Sequence, residues 1–279
     1  MSNFYYGLPL WLQTVIVLGA ALAIGFGSSI GVRAIFGLRT TEQETHIAIT
    51  MMQLVAAYIG ILLAFTGVEV WQDFQDAQTA LHQEAATASE LYRDLATYGP
   101  ETGPARDELR AYVASIVRSE WPLLQEGKGR RSAETETALI RLFEAFGKIR
   151  PHDARDSTIY TESFSKMNDL VVLRRNRLID SQTGVPFILW AVGLVGSILT
   201  VSYASSFASG RYNIAMIAGI SLTLGLIFLF ILTVDNPFKG EFIDSREMAQ
   251  LPSIFDRIDK IDVTDTAVPT AKTPTPAGR

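Results

Sequence analysis

IAITMMQLVAAYIGILLAFTGVEV, residues 47–70, runs directly into WQDFQDAQTALHQEAATASELYRDLATY, residues 71–98, with no glycine or proline between Gly67 and Gly99. The first part is apolar over the roughly 20 residues that an α-helix needs, at 1.5 Å per residue, to cross about 30 Å of hydrocarbon. The second part is polar, yet Phe74, Ala77, Leu81, Ala85, Ala88, Leu91 and Leu95 recur at spacings of three and four. That is the narrow apolar stripe of a helix packed against other helices. The stretch predicts one helix that leaves the membrane unbroken and ends at Tyr98-Gly99-Pro100.

Three more apolar runs accompany it: Leu10–Val32, Val185–Phe207 and Tyr212–Val234. Backbone groups in lipid must be satisfied internally, so these runs are also read as membrane helices. The leader Met1-Ser2-Asn3-Phe4-Tyr5-Tyr6 lacks the basic start of a signal peptide, and Tyr5, Tyr6 and Trp11 look like interfacial anchors. The expected fold is an all-α membrane protein with four transmembrane helices in two pairs and a helical bundle between the second and third. Residues 1–71 hold the first pair, 72–184 the bundle, 185–238 the second pair and 239–279 a tail, disordered after about 262.

With four crossings the bundle and both termini share one side. Arg174, Arg175, Arg177, Lys239 and Arg246 lie near the membrane there, against Arg33, Arg39 and Arg211 opposite. The excess places the bundle in the cytoplasm and the protein in the cytoplasmic membrane. Within the bundle, Gly103-Pro104 starts a helix through Leu109, Tyr112 and Trp121, and Pro122 kinks or ends it. Gly127-Lys128-Gly129-Arg130-Arg131 reads as a surface turn. Further helices are expected through Ala138–Phe146 and from about Ser157 to Ile179, with Pro186 opening the third span. A short amphipathic piece at Ile254, Ile258 and Ile261 precedes the Thr-, Pro- and Ala-rich end, Thr264 to Arg279.

Charge and motifs exclude much. The net charge of −5 speaks against nucleic acid as a partner, and the chain has no cysteine for disulfides or thiolate ligands. His46, His82 and His152 are dispersed, so no metal site is expected. Gly127-Lys128-Gly129 lacks the spacing of a phosphate-binding loop, and no serine sits in a Gly-x-Ser-x-Gly context. No enzyme and no cofactor are expected.

Polar chemistry therefore centres on the membrane. Thr50, Gln53, Ala57, Gly60, Ala64 and Gly67 fall on one face of the second span. Small and hydroxyl side chains there suit close helix packing. They equally suit a pore wall around an oligomer axis. Gly27-x-x-x-Gly31 and Gly193 with Gly196 read as packing sites. Glu69 and Asp235 stand at membrane edges, where ionisable groups are candidates for contact with ions. Asp235 ends a helix, where the macrodipole disfavours negative charge, and should seek Arg174, Arg175 or Arg177, or a bound ion.

Several spaced motifs also resemble a known family. They are His46…Leu62-Leu63-Ala64-Phe65…Val70-Trp71, Glu84-Ala85-Ala86…Glu90-Leu91-Tyr92-Arg93, Tyr112-Val113…Glu120-Trp121-Pro122, Arg174-Arg175-Asn176-Arg177-Leu178, Gly184-Val185-Pro186…Leu189-Trp190 and Asp235-Asn236-Pro237-Phe238. Over residues 45–245 the chain resembles the bestrophin-like family of bacterial and plant membrane proteins. That family is named for kinship with bestrophins, pentameric anion channels with four membrane helices and a cytoplasmic helical region. The resemblance implies a homo-oligomer, a pentamer on the bestrophin pattern. Gly60, Ala64 and Gly67 stand where bestrophins carry bulky apolar neck residues, and only Asp235, Glu241 and Asp244 echo their calcium clasp. Neither selectivity nor calcium gating carries over.

The resulting expectation is an oligomeric ion channel lined by the second helix, with the lipid bilayer, its own copies and inorganic ions as partners. Carboxylates at the mouth favour cations, against the anion preference that the kinship implies. The rival reading is a membrane-anchored scaffold or sensor whose bundle binds a partner. A secondary transporter fits less well, since no inverted repeat is evident.

Overall fold

The computed structural model describes residues 3–36, 41–126, 130–203, 210–240 and 242–265, and every regular element among them is helical. The α-helices are α1 (Asn3–Tyr6), α2 (Leu10–Phe36), α3 (Glu42–Tyr98), α4 (Gly103–Ser115), α5 (Trp121–Gln125), α6 (Ala133–Phe146), α7 (Ala154–Asp180), α8 (Phe187–Tyr203), α9 (Arg211–Val234) and α10 (Arg246–Asp265). Two compact units divide the chain. The first comprises Met1–Gln78, Gln125–Lys128 and Ile179–Ile243, the second Thr79–Leu124, Gly129–Leu178 and Asp244–Arg279.

Helix α3 contributes to both units as one uninterrupted helix of 57 residues, about 85 Å long. Its start is a capping box: Glu44 N–H donates to Thr41 Oγ1 at 3.3 Å, and Thr41 N–H returns to Glu44 Oε2 at 2.8 Å. Its end is Gly99, whose φ of 133° is open to a residue without a Cβ, as the sequence predicts. Between these signals nothing breaks the helix.

In the first unit α2 packs along α9 and α8. Leu63 and Val70 of α3 bury against Ile231 and Val234, with Phe228 and Trp190 beside them. Helices α2, α3 and α9 are long and apolar enough to cross a membrane. Helix α8 has 17 residues to Tyr203, and the expected remainder of its span falls in 204–209, outside the described residues.

The second unit closes around Leu91, Leu95, Leu109, Tyr112, Ile116, Leu142, Phe146, Met167 and Leu170, all 1% exposed or less. Ser132 caps α6 by accepting from Thr135 N–H, and Asp153 caps α7 by accepting from Asp156 N–H at 2.7 Å. Pro122 does not end its helix. The chain instead widens into a π-turn at Ile116–Glu120, where Trp121 N–H reaches back to Ile116 C=O, and α5 carries the proline onward. A proline lacks the donor that the preceding turn would use, and the wider turn absorbs the mismatch.

The amphipathic piece at the C-terminal end is longer than expected: α10 runs from Arg246 through Pro252 to Asp265 and takes in Ile254, Ile258 and Ile261. Met248, Leu251 and Phe255 are buried, which anchors the helix on the second unit. Residues 266–279 and the turn at Gly127-Lys128-Gly129 lie outside the described residues.

Candidate functional site

The membrane part of α3 presents three faces. Ile59, Leu63, Thr66 and Val70 turn inward, and Gly196 and Gly193 of α8 receive the first two. A Cβ on Gly196 would stand 2.0 Å from Ile59 Cδ1, and one on Gly193 would stand 3.3 Å from Leu63. These glycines are packing sites, as their spacing predicts. Gly27 and Gly31 meet no neighbour within the chain: among the described residues an added Cβ at either has nothing within 4 Å. In α2 the close approach is at Gly25, where a Cβ would overlap Ser221.

A second face of α3 carries large exposed side chains, Tyr58, Ile61 and Phe65. The third is the small and polar face. Thr50, Gln53, Ala57, Gly60 and Ala64 are exposed, and Gly67 is half-buried, 3.6 Å from Phe230 to a built Cβ. Gly60 has no atom within 4 Å of a Cβ position and borders an apolar groove of about 410 Å³ between α3 and α9. The chain's own helices thus leave this face uncovered. One turn past Gly67 it closes at Trp71, which stacks on Phe74 and Phe230 with centroids 5.7 and 6.4 Å away.

Glu69 stands elsewhere. It lies two residues from Gly67, about 200° round the helix, and so does not share the small face. It begins a different series, Glu69, Asp73 and Asp76 at spacings of four and three, with Asp180 at the end of α7 within electrostatic reach. Among the described residues none of these four carboxylates pairs with a lysine or arginine. Burial, then Asp76 and Asp73, pushes the Asp180 carboxyl up to about 6. Burial, then Glu69 and Asp76, also raises Asp73.

Asp235 is half-buried at the end of α9. Among the described residues its hydrogen bonds stay within the first unit. Its Oδ1 accepts from Val185 N–H at 2.6 Å, and its Oδ2 accepts from Asn236 Nδ2 at 3.0 Å. Burial raises its carboxyl, against the Val185 N–H and the Lys239 ammonium. Asp235 therefore ties the joint before α8 to the end of α9.

Two of the arginines expected at Asp235 are occupied in the second unit, in a network that sequence reasoning missed. Arg177, on α7, donates to Glu84 at 2.6 Å and to Glu120 at 3.3 Å; all three are fully buried. Arg174 donates to Glu120 at 3.0 Å and to Glu136 at 2.7 Å. Tyr112 Oη donates to Glu84 at 3.0 Å, and burial next to Glu84 holds the phenol far above its usual range. Burial alone would lower the Arg177 guanidinium, but Glu84 and Glu120 outweigh it and hold the charge. One signal was present: Glu84 lies seven residues from both Ala77 and Leu91, on the stripe that predicts the core.

A further cluster docks α10. The Phe255 ring stacks on Tyr92 at 4.1 Å, and Arg110 lies over both rings at 5.0 and 5.5 Å. Asp259 accepts from Tyr92 Oη at 2.7 Å, Arg106 at 2.8 Å and Arg110 at 2.7 Å. These donors hold its carboxyl low in spite of burial.

The sequence profile of the bestrophin-like domain matches residues 19–246, from within α2 to the first residue of α10. The chain belongs to the bestrophin-like family. No curated protein matches it in sequence. Solved structures share its fold at low identity. A bacterial bestrophin homologue from Klebsiella pneumoniae superposes with a TM-score of 0.66 at 16% identity, covering 89% of this chain and 98% of that one. A mutant of that homologue gives 0.65 at 15%, covering 92% and 100%. A structure described as a membrane protein gives 0.64 at 16%, covering 90% and 98%. At these identities the likeness is one of fold; the family and the three helices long and apolar enough to cross a membrane fit a membrane protein.

Proposed function

We propose that the protein is a homo-oligomeric ion channel of the cytoplasmic membrane, with the face of α3 from Thr50 through Gln53, Ala57, Gly60 and Ala64 to Gly67 lining the pore. The observation that carries this reading is the sorting of α3 into three faces. A helix facing only lipid on its outer side has no use for a separate small face with a glutamine and a threonine at one end, beside a face of Tyr58, Ile61 and Phe65. Copies arranged around an axis would turn the small face to water and the large one to lipid or a neighbour. Bestrophins, whose fold this is, are channels. Glu69, off the small face, would act with Asp73, Asp76 and Asp180 through their field at the end of the span, favouring cations there. Asp235 would hold the α8 joint beside it.

The test is ionic current from purified protein in planar bilayers under asymmetric salt. Gly60→Phe is expected to fold, because the chain leaves open space at that position, and to abolish or sharply reduce unitary conductance. Glu69→Gln should shift the reversal potential without abolishing current. Silent wild-type bilayers from folded, oligomeric protein, repeated with calcium and after a pH step, would favour the membrane-anchored scaffold instead.

A further inference from the structure

A cavity of about 520 Å³ opens between α2, α8 and α9, away from the small face of α3. Ala20, Ala21, Gly25, Trp190, Leu194 and Phe228 run along its wall, which is almost wholly apolar. Three hydroxyl residues line it as well: Ser197 Oγ donates to Gly193 C=O at 2.7 Å, but the other two are buried without a hydrogen-bond partner, Tyr5 Oη on a residue 8% exposed and Ser221 Oγ on one 2% exposed. Buried polar groups are ordinarily satisfied, so the orphaned Tyr5 Oη points to an acceptor brought by a ligand; Ser221 Oγ, at the other end, gains no partner from an apolar occupant and carries no part of the argument.

The two ends of the cavity differ. Ser221 lies ten residues into α9, deep in the span, and meets Gly25 so closely that the cavity ends there. Tyr5 lies before α2, among groups that suit a membrane interface. Trp11 is exposed, Asn236 donates to Tyr6 Oη at 2.9 Å, and Lys239 Nζ, which also faces Asp235, sits 5.4 Å from the Tyr6 ring. From Ile16 to Gly25 the wall follows α2 for about 14 Å. A long apolar chain fits this shape, with its polar end at Tyr5 and a negative charge beside Lys239.

We propose that the cavity holds one acyl chain of an anionic phospholipid. The ester carbonyl accepts from Tyr5 Oη, the phosphate lies beside Lys239, and the chain runs between α2, α8 and α9 towards Ser221. The site is separate from the proposed pore and stands or falls independently of it.

Native mass spectrometry of the delipidated full chain in detergent tests this, by titration with phosphatidylglycerol, with phosphatidylcholine of the same chains, and with oleate. One saturable adduct per chain is expected, with phosphatidylglycerol preferred. Ala20→Phe, which fills the cavity, should remove it. Tyr5→Phe should weaken it about tenfold, the worth of one hydrogen bond in apolar surroundings. Lys239→Gln should erase the preference between the two head groups. Each variant is held to the wild-type helical content and oligomer profile; if Ala20→Phe fails there, Tyr5→Phe, which deletes one oxygen, decides. Unsaturable binding, or binding untouched by Tyr5→Phe, would mean annular lipid only and overturn the proposal. Saturable binding of oleate alone, or no lipid because a second copy covers the cavity, would overturn it equally.

Discussion

Where Gly196 lets Ile59 come against α8, the first unit gains contact by having no side chain in the way; where Arg177 lies between Glu84 and Glu120, the second gains it by burying charge. The contrast is the one that lipid around the first unit and water around the second would impose. In hydrocarbon, apolar surface has nothing to gain by leaving lipid, so helices associate through close packing at small residues. In water, burial of Leu91, Leu109 and Leu142 already drives association, and the unit can carry a desolvated ion network within its core. Such a network adds little net stability over an apolar core, but it is severe on any state that leaves one partner unpaired. Close packing at glycine makes the opposite demand, since it fails when atoms are added.

The largest effect expected comes from breaking the network on one side. Arg177→Ala leaves the buried Glu84 carboxyl without its cation, and should cost about 3–5 kcal/mol. Thermal unfolding followed by circular dichroism would show it as lost cooperativity in the second unit. Replacing both partners, with Glu84→Leu and Arg177→Met, should restore most of the stability. A double variant as unstable as the single one would mean that the network is held by its remaining members, Glu120 and Tyr112, rather than by this pair.

Phe255→Ala should follow, at roughly 3 kcal/mol for loss of a buried aromatic side chain. The cost should fall on α10 rather than on the whole unit, because Phe255 is what that helix stacks on Tyr92. Hydrogen exchange should therefore rise in residues 246–261 and stay slow in α4 and α6. Uniform acceleration would show that α10 is part of the core and not a docked strap.

Addition of atoms probes the first unit. Gly196→Leu drives a side chain into Ile59 and should cost about 1–3 kcal/mol, although the far end of that isoleucine can move. Gly31→Leu, with open space around it, should stay within about 0.5 kcal/mol. Equal losses at both would show that Gly31 is covered in the assembly by another copy.

The same contrast explains what could be read from the sequence. The extent of α3 was legible because helix continuity depends on local signals, and none of the breakers occurs between Gly67 and Gly99. Apolar periodicity located Ala77, Leu81, Ala88, Leu91 and Leu95 in the core. It passed over Glu84 on the same stripe because a charged residue scores as surface whatever its neighbours. Arg174 and Arg177 were read as interfacial cations for the same reason: their partners, Glu120 on a π-turn and Glu84 on another helix, are far away in sequence. The helical extent upstream of Ile254 was not legible because Pro252 lies inside α10, where the docking of Phe255 outweighs the one hydrogen bond that the proline removes. The small face of α3 was visible as a pattern, whereas its occupant depends on other copies of the chain. Glu69 lies close to that face in sequence, but helical phase separates the two.

The smallest effect is also the one that best tests the acidic series of the first unit. The folded Asp180 carboxyl, pushed up to about 6, binds its proton more tightly than in the unfolded chain, where it should titrate near the ordinary aspartate value of about 3.9. Its charge therefore opposes folding above pH 6, and the penalty is relieved as pH falls from 6 towards 4. Other carboxyls act with the opposite sign; Asp259, held low by Tyr92, Arg106 and Arg110, loses its contribution in acid. The informative quantity is thus the difference in melting temperature between wild type and Asp180→Asn, measured from pH 7.5 to 4.5. Asp180→Asn should be the more stable at pH 7.5, and the gap should close as the medium is acidified. A gap that does not change with pH would mean that neither burial nor Asp76 and Asp73 raises the Asp180 carboxyl in the folded protein, and that the field of the acidic series on α3 is weaker than the arrangement of its carboxylates suggests.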